Sequence, residues 1–236
     1  MPVDHLLFRQ SPWLQPLTAE TVADLASKAI VRRLGDGELW ISRSERANGI
    51  AIIAGGGLRS TTYTCEGREY VFSIMRKGDI WGLVSTIDGI HNANDVYAHG
   101  ETTLITIDRR AVLKTIAERP DFSKCLMVLM CQRLRMASTV LEDRALKPIE
   151  LRLARLLLSL CGDEIRAEPR RSQPGTEVAV TQEMLAKILG CTRPTVNKKL
   201  RILEEEGAIK VEYGRIWLLD MPRIIELSGE GEYPYF

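Results

Sequence analysis

Between Thr192 and Arg201 the chain carries Arg193, Lys198, Lys199 and Arg201 with no acidic residue among them. Such a run is ordinarily just a solvated helix face, so its setting decides what it means. Thr181-Gln-Glu-Met-Leu-Ala-Lys-Ile-Leu-Gly190 reads as a short helix with Thr181 as N-cap and Gly190 as its stop. Cys191 and Thr192 make the turn, and Thr192 caps a second helix running to Gly207, with Pro194 in its first turn where a missing N–H costs little. On that second helix Val196, Leu200 and Leu203 form an inward stripe. Pro194, Lys198 and Arg201 fall opposite, Asn197 flanks them, and Arg193 stands at the tip. Ala186 is small where two crossed helices must approach. Beyond lies Ala208 to Leu219, a hairpin turning at Tyr213-Gly214 and placed like a wing. The spacing is that of a helix-turn-helix, whose second helix enters the major groove of double-stranded DNA. Arg193 can donate two hydrogen bonds to guanine O6 and N7, worth roughly 1–3 kcal/mol of discrimination. Lys198, Lys199 and Arg201 suit phosphates or base edges, and the hydroxyls of Thr181 and Thr195 suit phosphate oxygens near helix N-termini. The candidate DNA surface is therefore Thr181, Thr192, Arg193, Thr195, Asn197, Lys198, Lys199 and Arg201. A helical hairpin with a basic face in an ordinary α+β domain is the plainer reading. The agreement of caps, small residue, turn, stripe and hairpin favours DNA.

These residues need a scaffold, and 236 residues with 45% hydrophobic and 27% charged supply enough for one large domain or two small ones. The balance argues against disorder. No apolar run approaches the ~18 residues a membrane span requires. Met1 to Trp13 holds Asp4, Arg9 and two prolines, which does not fit a signal peptide. Five cysteines at scattered spacings fit a reducing cytoplasm better than a disulfide framework. The net charge of +1 excludes a globally basic protein. Arg144 to Arg223 nevertheless carries 15 Lys and Arg against 11 Asp and Glu, so the positive excess sits in the stretch that holds the basic helix.

Thr18 to Ala29 reads as a short helix capped by Thr18. Ile30 to Asp108 then turns to short runs rich in Ile, Val, Thr and Tyr: Gly49 to Ala54, Tyr70 to Met75, Thr102 to Ile107. The breakers between them include Gly35-Asp-Gly37, Glu66-Gly67, Lys77-Gly-Asp79, Asp88-Gly89 and Gly55-Gly-Gly57, the last read as a β-turn. Many short strands with turn signals predict an antiparallel sandwich or barrel. After Pro120, Met127, Met130, Leu134, Ala137 and Leu141 recur at three and four, a coiled-coil seam. Leu126, Leu129 and Val140 supply a second apolar face. One side can then dock on the β-domain and the other on a partner helix, which favours a dimer interface of Met127, Met130, Leu134, Ala137 and Leu141. Arg144 to Pro148 reads as a hinge, Ile149 to Leu160 as an apolar helix ended at Gly162, Arg166 to Gly175 as an exposed loop, and Val178 to Val180 as a short strand.

The whole chain resembles the CRP/FNR superfamily of bacterial transcription regulators, from Leu14 to Leu227. The most specific part is Leu185-Ala-Lys-Ile-Leu-Gly-Cys-Thr-Arg-Pro-Thr-Val-Asn-Lys-Lys-Leu-Arg-Ile-Leu-Glu-Glu-Glu-Gly207. A second is Lys77-Gly-Asp-Ile-Trp-Gly82 followed by Asp88-Gly89. The resemblance implies an α+β fold: an N-terminal antiparallel β-roll (double-stranded β-helix) over residues 1–120, a long dimerisation helix and hinge over 121–146, and a C-terminal winged helix-turn-helix over 147–236. It further implies a homodimer, a palindromic promoter site, a small-molecule effector and contact with RNA polymerase, more often in activation than repression. The effector pocket it points to is Trp81, Gly82, Leu83, Val84, Asn92 and Asn94, with Met130 and Leu134 of the dimer helix.

Members that bind cyclic AMP carry a Gly-Glu pair and, about ten residues on, an arginine that holds the cyclic phosphate. Here Gly82-Leu-Val-Ser-Thr-Ile-Asp-Gly-Ile-His-Asn-Ala-Asn-Asp95 puts Leu83 at the glutamate and has no arginine between Arg76 and Arg109. A buried phosphate without a charge partner is costly, which argues against cyclic AMP. An iron–sulfur cluster in the family's manner needs N-terminal cysteines, yet the first is Cys65. Cys125, Cys131, Cys161 and Cys191 read as buried and structural. Haem stays open through His5, His91 and His99, whose spacing is not diagnostic. In the second helix Pro194 stands where many members have a glutamate that reads cytosine, while Arg193 is retained. No catalytic residue and no metal-ligand spacing is found, which argues against an enzyme. A β-roll that binds nothing, with control by abundance or a protein partner, is the remaining alternative.

Overall fold

A computed structural model describes Phe8 and residues 11–46, 48–161 and 175–229. The expected helix end at Gly162, the loop from Arg166 up to Pro174, the tail after Gly229 and His5 lie outside the described residues. The chain forms two compact units, Met1–Arg68 with Phe72–Arg133, and Glu69–Val71 with Leu134–Phe236.

In the first unit α1 (Ala19–Ser27) starts at Thr18, whose hydroxyl accepts the Thr21 N–H at 3.3 Å. Six strands follow: β1 (Ala29–Leu34), β2 (Leu39–Ile41), β3 (Gly49–Tyr63), β4 (Glu69–Arg76), β5 (Ile80–Trp81) and β6 (Asp95–Asp108). They form one sheet in the order β1-β6-β3-β4, with β2 on β6 and β5 on β3. The two-residue period of β3 gives the sheet two buried sides. Ile50 and Ile52 enter a core with Phe8, Leu25, Ile105 and Phe122, whereas Ala51 and Ile53 join Leu34, Leu58, Val96 and Leu104 inside the curl of the sheet.

Gly55-Gly-Gly57 is not the turn its composition predicts. It lies inside β3, where the pairing with β6 slips between Ile53 and Gly57. Gly56 adopts φ 68° there, and a Cβ would stand 2.2 Å from the Glu101 carbonyl oxygen. The glycines thus allow a bulge against a close neighbouring strand. Two helices of this unit were unmarked in the sequence, α2 (Leu83–Asp88) and α3 (Arg109–Glu118), the latter capped by Asp108 accepting from Ala111 N at 3.0 Å. α4 (Pro120–Leu146) opens on a proline, after Arg119 has left the helical region. Phe122, Leu126 and Leu129 are buried in the first core.

The seam side of α4 differs. Met127, Leu134 and Leu141 are 61%, 70% and 68% exposed, Ala137 is exposed and Met130 half-buried. Of the cysteines expected to be buried, Cys125 and Cys161 are, Cys191 is partly so, and Cys131 is exposed. Two residues along a helix turn by about 200°, so Cys131 faces away from the core that Leu129 enters.

The second unit takes the C-terminal part of α4, then α5 (Ile149–Leu160), β7 (Thr176–Val178), α6 (Gln182–Leu189), α7 (Arg193–Glu205), β8 (Ile209–Glu212), β9 (Arg215–Leu218) and α8 (Met221–Ser228). The expected strand Val178–Val180 begins earlier, at Thr176. Its pairing with β9 ends at Val178, because Ala179 and Val180 leave the sheet to lead into the Thr181 cap. The sheet order is β7-β9-β8. α8, also unmarked in the sequence, is capped by Asp220 accepting from Arg223 N at 3.0 Å. Leu153, Leu157, Leu185, Leu200, Ile216 and Ile224 are all closed off from solvent.

Candidate nucleic-acid interface

Helix α7 is built by its two faces. Val196, Leu200 and Leu203 are buried, as their spacing predicts, so Arg193, Pro194, Lys198 and Arg201 turn outward and are exposed. Among the described residues no ion pair engages Arg193, Lys198 or Arg201. Both helix starts carry the expected caps: Thr181 accepts from Met184 N at 3.1 Å, and Thr192 from Thr195 N at 3.4 Å. Gly190 closes α6 at φ 67°, in the left-handed region where glycine is at home. The Thr192 and Thr195 hydroxyls lie 2.8 Å apart. Thr181 and Thr192 are exposed, and Thr195 is half-buried. Uncapped first-turn N–H groups here and a positive helix end favour an anion.

Two members of the expected set are placed differently. Lys199 lies on the flank nearest the buried stripe and pairs with Glu150 at the start of α5, so its charge is already engaged. That bond, followed by a backbone hydrogen bond, holds the Glu150 carboxyl below the usual range. Asn197 is half-buried, and its Oδ1 is shut from solvent without a partner among the described residues. Sequence reasoning missed Glu150 and also Glu204, which accepts from Val211 N at 2.7 Å and ties the end of α7 to β8. Glu204 stands 7 residues before Val211 and Glu150 49 before Lys199, separations that no periodicity marks, so neither was legible. In the wing, Lys210 pairs with Glu212 at 2.8 Å and Arg215 with Glu177 at 3.4 Å. At its tip Tyr213 is fully exposed beside Gly214.

In the first unit the expected effector residues separate. Leu83 is 1% exposed in the core with Leu126 and Leu129, and Met130 packs against the same cluster. Trp81 belongs to the inner cluster, edge-on to Trp40 with ring centres 4.5 Å apart. Val84 is exposed, and so is Leu134, which belongs to the second unit. Asn92 is buried and spent on Glu45, whose carbonyl it meets through its backbone N at 3.0 Å and Nδ2 at 2.8 Å. Asn94 is half-buried. Gly82 adopts φ 86°, and a Cβ there would lie 2.5 Å from the Gly49 oxygen. Two arginines distant in sequence do reach this region: Arg109 Nε donates to the Thr86 carbonyl at 2.9 Å, and Arg133 donates to the Ile80 carbonyl. Burial pushes the Arg133 guanidinium down, against the pull of Asp79. His91 and His99 are exposed, on opposite ends of the 91–99 stretch. Among the described residues no group of three or more His, Cys, Asp or Glu is placed to hold a metal, and no helix is long and apolar enough to cross a membrane.

A six-stranded roll, a long helix and a helix-turn-helix with a hairpin wing define a DNA-binding regulator with a ligand-type sensory fold. Residues 31–119 match the cyclic nucleotide-binding domain family, and residues 151–227 match the Crp-like helix-turn-helix domain family. Carrying both, the chain belongs to the CRP/FNR superfamily of bacterial transcription regulators. It is similar to the CRP-like cAMP-activated global transcriptional regulator of Mycobacterium tuberculosis, at 28% identity over 80% of this chain and 83% of that protein. The fold is shared with FixK2 of Bradyrhizobium japonicum (TM-score 0.73, 21% identity, 86% of this chain and 98% of that one). It is also shared with the c-di-GMP responsive global regulator CLP of Xanthomonas campestris (TM-score 0.72, 18% identity, 86% and 99%). The Mycobacterium tuberculosis and Xanthomonas campestris proteins are both global regulators by name.

Proposed function

We propose that the chain is a homodimeric activator that reads a palindromic promoter site through α7 and answers to an effector other than cyclic AMP. The observation that carries the DNA reading is the outward trio Arg193, Lys198 and Arg201, exposed on a capped helix whose other face is buried. Exposed cations outside any ion pair are available to phosphates and base edges. The dimer reading is supported by the exposed apolar seam of α4, too large and regular for water. Activation through RNA polymerase follows the resemblance of the family.

The residues present do not fit a cyclic nucleotide held in the family's manner. Leu83, where an acid would take the ribose, is part of a packed apolar core, and both nearby guanidinia are tied to backbone carbonyls by one hydrogen bond each. The same packing supports the second reading, a roll that holds no ligand. A thermal screen against metabolites separates the two, because a ligand selective for the folded state raises the melting temperature. The primary test lets the purified protein select from random duplexes. Enrichment of a two-fold palindrome with half-site centres about one helical turn apart is expected. If neither the protein alone nor the protein with cell extract enriches any sequence, the DNA reading is wrong.

A further inference from the structure

We infer that the buried ion pair of Asp143 and Arg155 is a positioning device for DNA reading: it locks α4 to the reading head and thereby sets the spacing between half-sites. The inference rests on the homodimeric reading proposed above.

The chain breaks between α4 and α5 at Lys147 and Pro148, and Pro148 sits at φ −65°, ψ 159°, well outside the helix. Two residues without a helical ladder would leave a loose joint, which is what the sequence predicts for Arg144 to Pro148. The joint is instead stapled. Arg155 Nη1 lies 2.7 and 2.8 Å from the two Asp143 carboxylate oxygens, and Arg155 Nε donates to the Ser228 carbonyl at 2.7 Å. One guanidinium therefore ties the end of α4 to α5 and to the end of α8. The side chains are 1% and 7% exposed, so neither water nor salt screens the pair. The next residue, Arg144, donates to the Ile188 carbonyl at 3.0 Å in the last turn of α6, and Lys147 N donates to the Asp143 carbonyl at 3.0 Å. From α5 the tie continues through Glu150 to Lys199 on α7.

A buried pair is a poor device for stability, since apolar residues of equal volume hold as well. Its directionality is what an apolar contact lacks: the guanidinium must meet the carboxylate through Nη1 and the carbonyl through Nε along its N–H directions. In a two-fold dimer joined through α4, the pose of each head on its own α4 sets the distance between the two copies of α7. Asp143 and Arg155 are thus positioning residues, remote from the bases yet governing which pairs of half-sites fit.

The test compares full-length proteins on three duplexes: the preferred palindrome, the same palindrome with one base pair inserted at its centre, and a single half-site. The wild type is expected to discriminate against the insertion by about tenfold or more. Asp143→Asn is expected to bring the two palindromes within about threefold of each other while keeping the wild-type preference for guanine at the Arg193 position. Equal discrimination in a folded Asp143→Asn protein overturns the inference. If Asp143→Asn does not fold, the double variant Asp143→Leu with Arg155→Met removes both charges without stranding either. Relaxed spacing in that protein supports the device, and wild-type spacing overturns it. A wild type that enriches no palindrome would instead overturn the dimeric reading, a result visible before any variant is made.

Discussion

The candidate DNA surface and the candidate effector region use arginine in opposite ways. The helix-turn-helix turns Arg193 and Arg201 into water, outside any ion pair among the described residues, although the Glu183 carboxyl, held low first by its hydrogen bond with Lys187, also feels the Arg193 charge. The sensory roll draws Arg109 and Arg133 inward against its own carbonyls, at Thr86 and Ile80. A guanidinium without an internal partner keeps its donors for a ligand, whereas one folded onto the backbone has become part of the frame. Counting cations near a site would have scored the two regions alike. Asking what each cation already holds separates them.

The largest effect tests the roll. Leu83→Glu restores the acid that cyclic-AMP-binding members carry, yet buries it among Leu126 and Leu129. Urea unfolding is expected to show a loss of at least about 3 kcal/mol rather than a gain of nucleotide affinity. A stable variant that binds cyclic AMP would erase the contrast. Next comes the head: Arg193→Ala should lose roughly 1–3 kcal/mol on the preferred duplex and bind a duplex with that guanine replaced equally well. Competition binding reads both values. Thr192→Ala removes the cap of α7 and is expected to cost about 1 kcal/mol of stability, seen in thermal melts of the whole chain. Lys198→Ala should weaken all duplexes alike and reduce the slope of log affinity against log salt by about 1.

The smallest effect concerns pH and again falls on the roll side. Burial raises the Asp121 carboxyl, but hydrogen bonds from Thr18 N, Thr21 Oγ1 and Thr18 Oγ1, each at 3.0 Å, outweigh it and hold the group below its ordinary value. A lowered folded value means stability that is complete above the unfolded value and is lost as pH falls through the folded one. Asp121→Asn should therefore melt lower than wild type at neutral pH, with the gap closing below about pH 4. A constant gap across that range would show that charge plays no part.

The helix-turn-helix was the most legible region because its constraints are local. Thr181, Gly190, Thr192 and Pro194 act within one turn of where they stand, and Val196, Leu200 and Leu203 obey a simple period. The roll was readable as a class but not in detail. Gly55-Gly-Gly57 looks like a turn in one dimension, and only the nearness of Glu101 on β6 makes it a bulge. The effector set spreads out for a related reason: the strand ends at Trp81, and Gly82 at φ 86° turns the chain into a helix, so Leu83 enters the cluster of Ile80 while Trp81 enters the other. Asp143 with Arg155, and Glu150 with Lys199, pair across elements at separations no pattern marks.

The edge-on contact of Trp40 and Trp81 gives the roll an optical signature. Indoles that close couple their electronic transitions, and the coupling depends steeply on their mutual angle. Circular dichroism of the unlabelled chain should therefore carry a couplet belonging to the inside of the roll alone, and Trp40→Phe should abolish it. Any change that moves one ring against the other, a bound effector included, would then show in the spectrum before that effector has been identified.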